Sequence, residues 1–179
     1  MSFGDFIAFA SLFGQLVESS IVSFSDDGLE AAVREAIGRP EGSILAADVV
    51  ELASGRAIVD LTGLSGLTAL SYVRLDSNRI SDISELEELP ALETLSLRIN
   101  NLSDVSALSS LRSLTSLDLA INRIDSIPSL SSLTALTSLY LGGNNISDVS
   151  PLSGLTGLTQ LSLLGMRSVT FPACPPSLH

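Results

Sequence analysis

Residues 139–155, LYLGGNNISDVSPLSGL, find their apolar and asparagine positions repeated when the chain is shifted against itself by 22 residues. Leu67, Leu70, Val73, Leu75, Asn78, Ile80, Asp82, Ile83 and Leu86 return as Leu89, Leu92, Leu95, Leu97, Asn100, Leu102, Asp104, Val105 and Leu108. The same order runs through Leu111, Leu114, Leu117, Leu119, Asn122, Ile124, Ser126, Ile127 and Leu130, and again through Leu133, Leu136, Leu139, Leu141, Asn144, Ile146, Asp148, Val149 and Leu152. A further copy begins at Leu155, Leu158, Leu161 and Leu163 and stops where Met166 takes the asparagine place. Unbroken register of this kind excludes chance and restricts the chain to a stack of like units.

Each offset has a mechanical reason. The step of two from Val73 to Leu75, or Leu139 to Leu141, puts both side chains on one face of a short strand and the residue between them on the other. An Asn after the strand marks a turn whose backbone groups would be buried without partners, and its amide offers both donors and an acceptor. Asn78, Asn100, Asn122 and Asn144 would then stack as a ladder. Asp82, Asp104, Ser126 and Asp148 share one column before the return segment, where a side-chain oxygen caps a short helical turn. The same column read as a metal-binding row would want a carboxylate where Ser126 stands. One unit cannot bury its apolar residues alone, so successive units share them, with a parallel sheet along one face of a solenoid and covered ends.

Composition narrows the partners. Hydrophobic residues make up 45% of the chain but aromatics only 4%, with no Trp, so the core is Leu, Ile, Val and Ala. The formal net charge is -11, with twenty acids against nine basic residues, all Arg, so no nucleic-acid partner is expected, since phosphate binding needs a concentrated positive face. The single cysteine, Cys174, can close no intramolecular bridge and forms no zinc cluster. The apolar run from Phe6 to Val17 is too short to span a bilayer, so no transmembrane helix is expected. It reads either as a secretory signal, against which Asp5 and the lack of a preceding Lys or Arg count, or as a hydrophobic helix packed on the end of the domain.

Residues 25–42, SDDGLEAAVREAIGRPEG, carry both ends of a helix. Asp27 and Glu30 have capping-box spacing, Leu29, Ala32, Val33, Ala36 and Ile37 form one apolar stripe, and Gly38 and Pro40 stop it. Glu30 and Arg34 stand one turn apart as a surface pair. The stripe can close the exposed end of the first unit. With this cap, the transition ASGRAIVDLTGL at 53–64 and the phrases NRISDIS (78–84) and NNISDVSPL (144–152), the chain resembles the internalin-like leucine-rich-repeat proteins of bacteria. The resemblance implies an α/β repeat solenoid, a right-handed superhelix with a parallel sheet on its concave face and a helical N-terminal cap. It divides the chain into an apolar segment (1–23), a cap (24–52), repeats (53–164) and an irregular tail (165–179). It also implies a module that binds a protein partner outside the cell or at its surface. Two departures stand out: Leu45 sits where such caps have a hydroxyl residue opening a second helix, and Leu52 lies one position out of register. The period is also similar to that of cytoplasmic phosphatase-regulator leucine-rich-repeat proteins, and an array truncated from a longer one is a third reading.

The step-two logic assigns the concave face. Its columns are Tyr72, Thr94, Ser116, Ser138 and Gln160; Arg74, Ser96, Asp118, Tyr140 and Ser162; and Asp76, Arg98, Ala120, Gly142 and Leu164. Both tyrosines of the chain fall here with two of its arginines, and Tyr and Arg carry much of the energy of protein interfaces. Ile99 and Ile121 run beside these columns as a small apolar spot near Arg79, Asn101, Arg123, Asn145 and Arg167. The expected partner-binding set is Tyr72, Arg74, Asp76, Thr94, Ser96, Arg98, Ile99, Asp118, Ile121, Ser138, Tyr140 and Gln160. A plainer reading makes this a solvated strand face with Asp76 and Arg98 as an ordinary ion pair. Catalysis has little to stand on: the only histidine, His179, ends the chain, Cys174 lies five residues before it, and LGGNN is a repeat turn, not a phosphate loop. No cofactor and no metal are implied.

Overall fold

A computed structural model describes residues 21–38, 40–45, 51–53 and 57–166. The sequence expectations for Phe6–Val17, Arg167, Cys174 and His179 lie outside these. Within them each unit is one coil: a strand of three residues, a tight corner, an extended return and a short 3-10 helix. The strands are β3 (Glu51–Ala53), β4 (Tyr72–Arg74), β5 (Thr94–Ser96), β6 (Ser116–Asp118), β7 (Ser138–Tyr140) and β8 (Gln160–Ser162). They form one six-stranded sheet in sequence order, every pair parallel. Val73 lies opposite Leu95, Leu95 opposite Leu117, Leu117 opposite Leu139 and Leu139 opposite Leu161, so the 22-residue period is the strand register itself.

The aliphatic columns fill the space between strands and 3-10 helices. Leu75, Leu97, Leu119 and Leu141 are each 0% exposed, as are Leu86, Leu108 and Leu130 on the opposite wall. At four successive corners a buried Asn joins two adjacent coils. The Asn100 Nδ2 group donates to Leu97 O at 3.0 Å and to Leu75 O of the preceding coil at 2.9 Å, while its Oδ1 accepts from Ile80 N at 3.0 Å. Asn122 repeats the pattern on Leu119, Leu97 and Leu102, and Asn144 on Leu141, Leu119 and Ile124. Apolar side chains could not supply these partners, and orphaned buried amides cost about 1–3 kcal/mol each.

The Asp column does its capping through a partner two residues on. Asp82, Asp104 and Asp148 each accept a hydrogen bond from the backbone N–H of Ser84, Ser106 and Ser150, at 2.8–2.9 Å. The Ser106 backbone N–H holds the exposed Asp104 carboxyl below the usual range, and Ser150 does the same for Asp148. The expectation that Ser126 keeps this chemistry is corrected. Its counterpart donor position is Pro128, the first residue of the 3-10 helix Pro128–Ser132, and proline has no N–H to give.

The N-terminal end is sealed by a cap built on helix α1 (Asp27–Ile37). Its N-cap is Asp26, one residue before the Asp27 that spacing suggested, because Asp26 has extended backbone and its Oδ1 accepts from Leu29 N at 3.0 Å. The other oxygen of the same carboxylate accepts from Val59 N at 2.9 Å and Asp60 N at 3.2 Å, tying the helix start to the first coil. Burial pushes the Asp26 carboxyl up, but the N–H groups of Val59, Leu29, Asp60 and Gly28 outweigh it and hold it below its ordinary value. Leu29, Ala32 and Val33 are buried and Ile37 is partly covered, whereas Ala36, expected in the stripe, is exposed because only the first two turns sit on the coil. Gly38 ends the helix at φ 65°. Arg34 and Glu30 form the i,i+4 pair at 2.7 Å, worth a few tenths of about 1 kcal/mol.

Two short strands complete the cap. β1 (Ile21–Val22) pairs antiparallel with β2 (Ile44–Leu45), so Leu45 ends a strand where the resemblance implies the start of a second helix. Leu52 lies opposite Val73, 21 residues away, and the chain regains register by Ile58, whose N–H donates to Asn78 Oδ1 at 2.9 Å. Gly63, at φ 98°, packs against the cap so closely that a Cβ there would sit 2.0 Å from Ser23 O. Glu85 fastens the same corner from the next coil, accepting from Gly63 N, Ser65 N and Ser65 Oγ. Among the described residues no helix is long and apolar enough to cross a membrane.

Candidate protein-binding face

Strand pairing brings the sheet columns together as ordered rows. Tyr72 adjoins Thr94, Thr94 adjoins Ser116, Ser116 adjoins Ser138 and Ser138 adjoins Gln160; Arg74, Ser96, Asp118, Tyr140 and Ser162 form the next row. Tyr72 and Tyr140 are half-buried, three coils apart, which at ~4.8 Å per strand is about 15 Å. The Tyr140 hydroxyl donates to Gln160 Oε1, which fixes both side chains across β7 and β8. Arg74, Arg98 and Gln160 are exposed, and Thr94 and Ser138 are half-buried.

The carboxylates of this face are engaged. Arg74 pairs with Asp76 at 3.4 Å, and the Asp76 Oδ1 atom accepts from the Ser96 hydroxyl and from the backbone N–H of Arg98 at 3.1 Å. The ion pair expected between Asp76 and Arg98 side chains is therefore replaced: Asp76 turns to its own strand neighbour and meets only the Arg98 main chain. Ser96, expected among the contact residues, is 9% exposed and committed to Asp76, so it supports the face from beneath. Asp118 Oδ1 accepts from Ala120 N at 2.9 Å.

Beyond the strands the ladder of hydrogen bonds continues through one more residue per coil. Ser77 N donates to Arg98 O, Ile99 N to Ala120 O, Ile121 N to Gly142 O and Gly143 N to Leu164 O, at 2.7–2.9 Å. This column is left-handed, with φ 59° at Ser77, 56° at Ile99, 58° at Ile121, 71° at Gly143 and 79° at Gly165. For a β-branched residue that conformation costs roughly 1–2 kcal/mol. Yet Ile99 and Ile121 occupy it with 42% and 46% of their surface exposed. Beside Ile121 lies an open concavity of about 410 Å³ floored by Gly142 and Gly143 and bordered by Arg98, Ser162 and Leu164. Sequence reasoning found the two isoleucines but missed both strain and concavity; the glycines at 143 and 165 in the same column were the available signal for positive φ.

Among the described residues no group of three or more His, Cys, Asp or Glu side chains is placed to hold a metal ion. What the geometry offers is a mostly polar sheet with two tyrosines, one of them held by Gln160, two exposed arginines, one of them paired with Asp76, and an apolar edge.

Three-residue parallel strands in a fixed period, an Asn at four successive corners and a shared aliphatic core define a leucine-rich-repeat solenoid. Residues 90–133 and 134–171 each match the family described as Leucine Rich repeats (2 copies). Among solved structures, an internalin (inlF) from Listeria monocytogenes is similar at 34% identity and a TM-score of 0.74, over 77% of this chain and 43% of that one. Internalin C2 from the same organism is similar at 27% identity and a TM-score of 0.60, over 78% of this chain and 74% of that one. The plant peptide hormone receptor RGFR1, in complex with RGF2, is similar at 28% identity and a TM-score of 0.52, over 56% of this chain and 18% of that one. The chain thus spans less than half the length of the internalin inlF chain. No curated protein sequence matches it. Within the leucine-rich-repeat class the chain is an internalin-like protein. Leucine-rich-repeat proteins are in general protein-interaction modules and typically not enzymes.

Proposed function

We propose that this chain is a non-catalytic recognition module that binds a protein partner on its concave sheet face, displayed outside the cell or at its surface. The contact set is Tyr72, Arg74, Asp76, Thr94, Arg98, Asp118, Ser138, Tyr140 and Gln160, with Ile99 and Ile121 at the edge. The observation that carries the reading is the pair of adjacent rows of strand-mounted side chains held in register by β4–β8, with one tyrosine on each. Tyr side chains have few rotamers to lose on contact, and Tyr and Arg are among the residues that dominate interface energetics. A separation of about 15 Å between the tyrosines suits an extended protein surface and exceeds the reach of one small molecule. The internalin neighbours and the receptor in complex with its peptide hormone support the surface setting. Nucleic acid is disfavoured by the net charge of -11.

The test is a combined Tyr72→Ala, Arg74→Ala, Arg98→Ala and Tyr140→Ala variant against a partner captured by the intact chain. Affinity should fall by more than about 100-fold, since several hot-spot side chains at ~1–2 kcal/mol each are removed. The circular dichroism spectrum should not change, because none of the four belongs to the aliphatic core. Unchanged affinity would place the interface on another face.

A further inference from the structure

Charge is segregated on the coils. Take the strip that runs from each strand to the residue after the corner Asn, residues 72–79 and their counterparts. Across residues 57–166 it holds four of the five arginines, Arg74, Arg79, Arg98 and Arg123, but only two of the eleven acids, Asp76 and Asp118. Both of those acids are occupied, Asp76 by Arg74 and Asp118 by the Ala120 N–H. Among the described residues no carboxylate lies within ion-pair distance of Arg79, Arg98 or Arg123. Asp125, two residues beyond Arg123, offsets that charge in part, which leaves Arg98 as the cation nearest the apolar edge.

That edge is built at a cost. Ile99 and Ile121 hold a left-handed backbone that Asn or Gly would adopt freely, as Gly143 does in the next coil. Their exposure brings no folding advantage in return. Strain that persists where the fold does not need the side chain points to use of that side chain. The absence of a side chain at Gly142 and Gly143 opens the neighbouring concavity, because a Cβ on Gly142 would meet Leu164 O at 2.6 Å and one on Gly143 would meet the Ile121 side chain at 3.2 Å. Ile121 and Leu164 wall it with apolar surface, Leu164 being 81% exposed, and Arg98 stands at its rim.

We infer that this corner of the sheet takes a protein segment carrying an aliphatic or aromatic side chain next to a carboxylate. The apolar group sits against Ile121 and Leu164 over the glycine floor, and the carboxylate meets Arg98. The inference rests on the protein-binding reading of the sheet face and specifies the partner's chemistry there. An acidic segment is the occupant because the strip is positive within a chain of net charge -11, so the same partner is repelled by the coil surface elsewhere and steered to this edge.

The experiment selects displayed random peptides of a dozen residues on the full chain, then measures binding of the enriched peptides to variants. The enriched sequences should place Asp or Glu beside Leu, Ile, Met or Phe. Their affinity should fall about tenfold with Arg98→Ala and about tenfold with Ile121→Asn. Added salt should weaken the first contribution and spare the second. Ile121→Asn should leave the thermal midpoint unchanged or raised, since Asn tolerates the left-handed backbone, so lost binding cannot be ascribed to unfolding. No enrichment, enrichment of neutral or basic peptides, or an acidic set indifferent to Ile121→Asn overturns the inference. An acidic set lost with Tyr72→Ala and Tyr140→Ala but not with Ile121→Asn keeps the sheet-face reading and removes this one; the reverse result keeps this site and removes the wider face.

Discussion

The two ends of the described stack bury the same residue types to different degrees. In the first full coil Leu64, Leu67, Leu70 and Val73 are all 0% exposed, with the cap and β3 on their N-terminal side, Leu52 of β3 lying opposite Val73. In the last, Leu161 is 46% exposed while its column neighbour Leu139, one coil earlier, is 0% exposed, and Leu158 and Leu163 are only partly covered. Nothing distinguishes Leu161 from Leu139 in type or strand position. The difference lies in the second neighbour, so burial in this fold belongs to a pair of adjacent coils and not to either one. The sharpest way to break that comparison is to truncate both. Leu139→Ala should cost about 2–5 kcal/mol, the range for a fully buried leucine whose cavity cannot collapse. Leu161→Ala should cost less than about 1 kcal/mol, since much of its surface is already hydrated. Urea unfolding of both variants measures the contrast, and equal losses would mean that Leu161 has a cover comparable to that over Leu139.

The same dependence on neighbours explains which features were legible in the sequence. Aliphatic spacing, strand register and the place of each Asn follow from the period, since a repeated offset reports a repeated contact. Features set by a single junction were not legible. Ala36 has the right helical phase for the core but is exposed, whereas Leu29, Ala32 and Val33 are buried and Ile37 is partly covered. Asp26 and Asp27 are chemically equal caps; Asp26 takes the role because its second oxygen finds Val59 N and Asp60 N, a contact 33 residues away that no local pattern carries. On the sheet face, the columns could be assigned from alternation alone. The partner of Asp76 could not, because Arg74 and Arg98 are both within reach of an aspartate there and side-chain direction decides. The strain at Ile99 and Ile121 hid for another reason: a β-branched residue argues against positive φ, and the corner imposes it regardless.

The sealed end owes part of its hold to one ionised group, Asp26, which gives it a pH dependence of its own. Asp26 has its pKa lowered in the folded chain from an ordinary value of 3.8, so the unfolded chain binds the proton more tightly. The contribution is complete above that unfolded value and is lost as the pH falls through the folded one. Asp26→Asn places an NH2 group where Oδ2 now accepts two N–H bonds, and should cost about 1–2 kcal/mol at neutral pH. As the pH falls below 3.8 the gap between variant and parent should narrow, because the unfolded parent takes up the proton before the folded one does. Urea midpoints across that range check both statements; a gap that stays constant with pH would mean that charge on Asp26 contributes nothing to the cap.

The smallest effect tests whether the Asp column acts through its donor. Asp82, Asp104 and Asp148 each have a serine N–H two residues on, and Ser126 has Pro128 instead. Installing the missing acid alone, Ser126→Asp, should leave the unfolding midpoint unchanged, since a carboxylate at that point has no backbone hydrogen to accept and adds to an acidic surface. Adding Pro128→Ser restores the N–H but also frees a backbone that proline had fixed in the geometry of a helix start, which loosens the unfolded chain. The double variant should therefore exceed Pro128→Ser alone in midpoint while only matching the parent. A gain from Ser126→Asp in the presence of Pro128 would show that the column stabilises its turn through the charge of the side chain acting on the helix end, and the hydrogen bond would then be incidental.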